Sequence, residues 1–262
     1  MYIKCYATKI KGNKYKIHLW DELGYDEIDY YNAAYQECSE ADATHKGIKG
    51  ENLRKTTKWD RNDPNLHFHD MKPHQKYLVE RYGTVDDTPE GHKELFFDIE
   101  CEIGGALTEE YIESAPMPIT SIAWWYKQKD EWAILILDKK GELKHTKARN
   151  KEIIPCKTEA ELLALFLERF RDIDPDILVG YNSDYFDIPY IYYRIKNRLG
   201  ERTAKRLSPI RIIEEREWNT DQRIRIAGVA SLDYMRLHKK YSFQQEPSMK
   251  LDFLGEKYVG QK

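Results

Sequence analysis

The segment His92–Gly105, HKELFFDIECEIGG, decides the fold. Its centre, ELFFDIE, has the aromatic and branched content of a strand entering a sheet interior. Side chains alternate across a strand, so Phe97, Ile99 and Cys101 share one face while Phe96, Asp98, Glu100 and Glu102 share the other. Two ionised carboxylates about 5 Å apart repel by roughly 3 kcal/mol at an effective dielectric of 20, so an apolar setting must supply a cation or a proton. A divalent cation meets that need, and oxygen ligands suit magnesium or manganese, whereas zinc more often recruits His or Cys. The same spacing also fits a strand running into solvent with ordinary exposed acids.

Working outward, the runs ITSIAWWY and EWAILIL read as strands close enough in sequence to pair as consecutive antiparallel neighbours. The period then changes. KTEAELLALFLERFRDI puts Leu162, Leu163, Phe166, Leu167 and Phe170 at helical spacing, with Thr158 and Glu161 forming a capping box. DPDILVG reads as a short buried parallel strand, and FDIPYIYYRIKNRLG as a second helix that tolerates Pro189 in its first turn and stops at Gly200. This order predicts an α/β layer on a mixed sheet over residues 93–262. Residues 1–92 hold short alternating pieces such as YKIHLW between polar connections, which predicts a small, mostly-β domain. The link GTVDDTPEGHK, Gly83–Lys93, has the Gly, Pro and acid content of a boundary.

The 262 residues, 41% of them hydrophobic, suffice for one large domain or two ordinary ones, and 13% aromatics excludes a disordered chain. The formal net charge of -3 gives no global sign of nucleic-acid binding. Local charge is polarised. Asp21–Asp42 contains eight acids and no Lys or Arg, whereas Ile191–Arg211 contains Arg194, Lys196, Arg198, Arg202, Lys205, Arg206 and Arg211 against Glu201 alone. The second run reads either as a basic face or as solvated surface. Cys5, Cys38, Cys101 and Cys156 form no C-x-x-C pair, so neither a disulfide framework nor a zinc site is suggested. The N-terminus lacks an apolar targeting core, and the longest uncharged stretch, Ser114–Tyr126, is too short to span a bilayer. A cytoplasmic protein without a membrane partner is expected.

A second carboxylate site lies in DILVGYNSDYFDIPYI. Asp187 falls just after the buried strand, where a helix opens and its dipole favours negative charge, and Gly180 can provide the turn. Asp184 competes for the simpler duty of capping that helix. FFDIE followed by GYNSDYFDIPYI resembles the first two exonuclease motifs of family B DNA polymerases, a D-x-E strand and an N-x-x-x-F-D turn, with Asn182, Phe186 and Asp187 in register. The continuation IAGVASLDYMRLHKKYSFQQEPSMKLDFLGEKYVG is similar to the segment downstream of those motifs in polymerases of viruses and tailed phages. The resemblance covers residues 94 to 262, and residues 1 to 92 by position only, as the family's N-terminal domain.

The resemblance implies a ribonuclease-H-like fold and a proofreading 3′-to-5′ exonuclease with two divalent metals, Mg2+ or Mn2+. Asp98, Glu100 and Asp187 would be catalytic metal ligands, while Asn182 and Phe186 would hold the terminal nucleotide of single-stranded DNA. Core packing is the alternative for Phe186, and a turn-stabilising hydrogen bond for Asn182. The family's third exonuclease motif, Y-x-x-x-D, is not found, nor are the palm motifs of the polymerase site. Asp233 in SLDYMRLHKK is assigned a structural role. The metal site is therefore expected to be incomplete, in either a fragment of a longer polymerase or the N-terminal product of a split gene in phage-infected cytoplasm. Activity is expected to need a C-terminal polymerase chain as partner, with primer-template DNA as substrate. Two rivals are a non-catalytic DNA-binding or docking module of a split polymerase and an unrelated ribonuclease-H-like nuclease.

Overall fold

The computed structural model describes residues 1–47, 49–57, 60, 62–83, 91–102, 104–218, 222–243 and 245–260. The chain divides into two compact units, Met1–Glu90 and Gly91–Lys262. Most of the expected link Gly83–Lys93 falls on residues 84–90, outside the described residues. No helix among the described residues is long and apolar enough to cross a membrane.

The first unit is built from β1 (Tyr2–Lys11), β2 (Lys14–Asp21), β3 (Gly24–Tyr31), β4 (Ala34–Glu37), β5 (His45–Lys46), β6 (Asn52–Thr56), β7 (Leu66–His67) and α1 (Pro73–Tyr82). The strands form a three-stranded sheet, β1-β2-β3, and a four-stranded one, β5-β6-β4-β7. Ile17 and Leu19 on β2 pack with Tyr77 of α1 into a small core. That helix carries no run of apolar residues at helical spacing, and Pro at its first position sets its start.

The second unit runs β8 (Glu94–Cys101), α2 (Glu109–Ser114), β9 (Ile119–Tyr126), β10 (Glu131–Leu137), β11 (Thr146–Ala148), β12 (Lys151–Cys156), α3 (Glu159–Ile173), β13 (Ile177–Gly180), α4 (Asp187–Leu199), α5 (Glu201–Ala204), β14 (Ile213–Glu215), β15 (Ile224–Ile226), β16 (Ala230–Asp233), α6 (Tyr234–Tyr241) and α7 (Leu251–Val259). Seven strands make one mixed sheet in the order β11-β12-β10-β9-β8-β13-β16. The strands β8, β9 and β10 are antiparallel neighbours, while β13 is parallel to both β8 and β16. Thr158 caps α3 by accepting from the Glu161 N–H at 3.2 Å, but the Glu161 carboxylate reaches back to the Lys157 N–H, one residue earlier than a capping box requires. Gly200, at φ 90°, ends α4.

One sheet face is dry. Leu95, Phe97 and Ile99 of β8, Ile122 and Trp124 of β9 and Leu135 of β10 pack against Leu162, Leu163, Phe166, Leu167 and Phe170 of α3 and Ile188, Ile191 and Ile195 of α4. Fully burying one such side chain is worth about 1.5–3 kcal/mol, so this layer fixes the register of β8 and with it the direction of Asp98 and Glu100.

Candidate active site

Alternation sends Asp98 and Glu100 to the opposite face, and both remain exposed. Aromatic rings surround that approach: Phe96 lies 4.9 Å from Trp125, which stacks on Trp132 at 5.1 Å, centroid to centroid. Ala123, the cross-strand partner of Asp98, leaves room beside the carboxylate. Asp98 lies in a groove of about 1040 Å³ that runs under Tyr234 of α6 and Leu251 and Leu254 of α7.

The second acid arrives through a short strand. Pairing of β13 with β8 ends at Val179 opposite Phe96, so among the described residues no strand lies against that edge of β8 beyond this point. The Ile99 N–H there donates to the Asp187 Oδ1 at 3.2 Å. Asp187 is 4% exposed and opens α4. A carboxylate 88 positions away in sequence is thereby held against the amide between Asp98 and Glu100.

The turn from β13 to α4 is built for this delivery. The left-handed residue of the turn is Asn182, at φ 59°, and not Gly180. The need for glycine at 180 is steric, because an added Cβ would stand 2.6 Å from the Ser183 Cβ. Asp233 Oδ1 accepts from the N–H groups of Asn182 and Met235, at 3.0 and 2.9 Å, and Oδ2 accepts from the Asp184 N–H at 3.1 Å. This one buried carboxylate caps α6 and pins the turn. Asp184 does not cap α4; it accepts from Ser231 Oγ at 2.6 Å and from Arg236 Nη1 at 2.8 Å. The residue preceding α4 is Phe186, without a side-chain cap, and its ring sits 5.3 Å from that of Tyr190 at the margin of the core.

The electrostatics set the acids apart from ordinary surface groups. Burial, then the charge of Asp98, push Asp187 up to about 7, against the opposing Ile99 N–H. Lost hydration in the groove, then Glu100, hold Asp98 above the usual carboxylate range. No cation among the described residues forms an ion pair with either acid. Two hard oxygen donors without a counter-charge fit magnesium or manganese. The fit is partial, since among the described residues no three His, Cys, Asp or Glu side chains converge closely enough to enclose a metal. The structure joins Asp187 to the Asp98 strand and leaves Glu100 beside Asp98 on the exposed face.

The basic run Ile191–Arg211, open to reading as a basic face or as solvated surface, is largely consumed by internal pairing. Arg194 is buried and clasps Glu159, Lys196 pairs with Glu215, Arg198 approaches Glu159 at 3.8 Å, and Lys205 pairs with Glu201. The pairing of Arg194 and Glu159 was not visible in the sequence, because the two sit on different helices 35 positions apart.

Residues 49–254 match the family described as DNA polymerase family B, exonuclease domain. The chain belongs to that family. The family B exonuclease match begins inside the first unit, well before the D-x-E strand. Among similar proteins, a DNA-directed DNA polymerase of Escherichia phage RB69 is 39% identical over 141 residues, 50% of this chain and 16% of that protein. The DNA-directed DNA polymerase of Enterobacteria phage T4 is 34% identical over 107 residues, 39% of this chain and 12% of the relative. A DNA polymerase of Pyrococcus glycovorans is 32% identical over 120 residues, 46% and 14% respectively. The matched stretch thus spans under a fifth of each of these relatives.

Proposed function

We propose that this family B exonuclease domain has a ribonuclease-H-like fold and removes nucleotides 3′ to 5′ from single-stranded DNA ends, in the proofreading service of a DNA polymerase. The observation that carries the reading is the hydrogen bond from the Ile99 N–H to Asp187, which draws acids from two distant segments to one place. Asp98 and Asp187 would hold a divalent cation, with Glu100 as the adjoining carboxylate. When bound, such a cation supplies Lewis acidity toward the scissile phosphodiester. Asp187 presents its carboxylate from a buried, amide-anchored position, so little reorganisation is needed at the moment of reaction. Phe186 and Asn182, on the turn leading into α4, would contact the terminal nucleotide, the ring by sequence-tolerant stacking.

Magnesium sites use one or two carboxylates and fill the rest of their shell with water and substrate phosphate. A two-acid site is consistent with that habit, and a further ligand would come from the C-terminal part of the polymerase. The groove beside Asp98, with exposed Trp132 and Ile153 at its edge, offers an apolar face on which that part would dock.

The test mixes the chain with a polypeptide carrying the polymerase remainder, magnesium and an end-labelled single-stranded primer. Shortening from the 3′ end is expected, and Asp98→Ala and Asp187→Ala abolish it. Equal digestion by those variants would overturn the catalytic assignment. DNA binding and partner capture without digestion, by wild type and variants alike, would favour a docking module.

A further inference from the structure

At the far end of β13 from the acids, three arginines line one pocket of about 300 Å³: Arg171 from the last turn of α3, Arg206, and Arg211. At ~3.3 Å per residue, the four residues of β13 alone set the pocket on the order of 13 Å from the turn that carries Asp187. Among the described residues no hydrogen bond or ion pair engages these three guanidinium groups, in contrast to their neighbours Arg194, Lys196 and Lys205. Among the described residues lining the pocket the one carboxylate, Asp174, is already held by Lys93 Nζ at 3.1 Å.

The backbone here is shaped rather than slack. Arg211 adopts φ 58°, a left-handed conformation unusual for a long side chain, and its N–H donates to the Ser208 carbonyl at 3.0 Å. The Ser208 hydroxyl, 2% exposed, donates to the Ala227 carbonyl at 2.7 Å and fixes the loop to the strands behind it. Three arginines lining one pocket of this size suit a compact anion with several acceptor oxygens. Phosphate meets that description better than a carboxylate, whose two oxygens one fork already satisfies.

We propose that Arg171, Arg206 and Arg211 form a phosphate-binding site, separate from the nuclease acids, that takes a single phosphate of a nucleotide or of a DNA backbone. Its test does not depend on the nuclease reading, because it runs on the full chain carrying Asp98→Ala and Asp187→Ala, with a chelator present. Fluorescein-labelled oligothymidylate is titrated by anisotropy, with thymidine monophosphate, inorganic phosphate, unlabelled oligothymidylate and poly-glutamate as competitors. Adding Arg206→Gln and Arg211→Gln is expected to weaken binding about tenfold and to lower the salt slope by about 0.7, the value for one single-strand phosphate contact. The exposed pair Lys140→Gln and Lys144→Gln is the charge control, and the unfolding midpoint of each variant checks folding. Displacement by the monophosphate or by inorganic phosphate supports a site for a free phosphate group. Displacement by unlabelled oligonucleotide alone supports a backbone contact. Unchanged binding in the arginine variant, an equal loss in the lysine control, or displacement by poly-glutamate as effective as by phosphate would overturn the proposal.

Discussion

Replacing Arg194 by Met tests whether the basic run of α4 is a nucleic-acid face or an internal brace. Arg194 Nε and Nη2 each reach Glu159 at 2.6 Å, while Nη1 donates to the Ala115 and Pro116 carbonyls at 2.7 and 3.1 Å. The two side chains are 7% and 9% exposed. Removal leaves Glu159 with the Ile119 N–H at 2.9 Å and distant Arg198, and leaves two carbonyls without their donor. Breaking one half of such a buried pair costs about 3–5 kcal/mol, chiefly because the remaining charge stays desolvated. At about 2–4 °C per kcal/mol for a unit of this size, the melting point should fall by roughly 10 °C. Urea and thermal unfolding, followed through Trp124, Trp125, Trp132 and Trp218, measure the loss. The double variant Arg194→Met with Glu159→Gln should recover a large part of it. A loss below about 1 kcal/mol, typical of exposed pairs, would refute the brace. So would weakened DNA binding at unchanged stability, which would return Arg194 to the nucleic-acid face.

Gly180→Ala should cost about 1–3 kcal/mol by overpacking against Ser183 and should depress nuclease activity in step, read by urea unfolding and primer digestion. Asp233→Ala strips acceptors from the Asn182, Asp184 and Met235 amides, so a destabilisation of at least about 2 kcal/mol is expected by the same unfolding assay. Magnesium should raise the unfolding midpoint of the wild type and not that of Asp187→Asn, as monitored by differential scanning fluorimetry. In the first unit, burial holds His18 below its ordinary value of 6.5. Between its folded and unfolded pKa values the unfolded state binds more protons, so stability is full above pH 6.5 and declines as pH falls below it. His18→Gln should flatten that decline in acid titrations of the unfolding midpoint.

Legibility in the sequence tracks the range of the forces involved. The apolar period of α3, the Thr158 cap and the Gly200 stop act within a few residues and were legible. The alternation of Phe97 and Ile99 against Asp98 and Glu100 was legible for the same reason. The helix α1 was not, since it buries Lys76 and Tyr77 instead of an apolar stripe. The duties of Asp184 and Gly180 were left open because both answer to partners brought near only by the fold: Arg236 and Ser231 for the one, the Ser183 side chain for the other. The attachment of Asp187 to Ile99 is likewise a property of the sheet and cannot be read from either motif alone.

The brevity of β13 carries a consequence for anyone wishing to silence or transplant this centre. Its four residues stop short, and the acid occupies the berth where a longer strand would have continued the ladder. Two inserted residues of strong strand preference would let main chain outcompete side chain for the Ile99 amide, evicting Asp187 while every acid stays in the gene. On the proposed reading, nuclease function would hinge on where a strand ends as much as on which residues come after it.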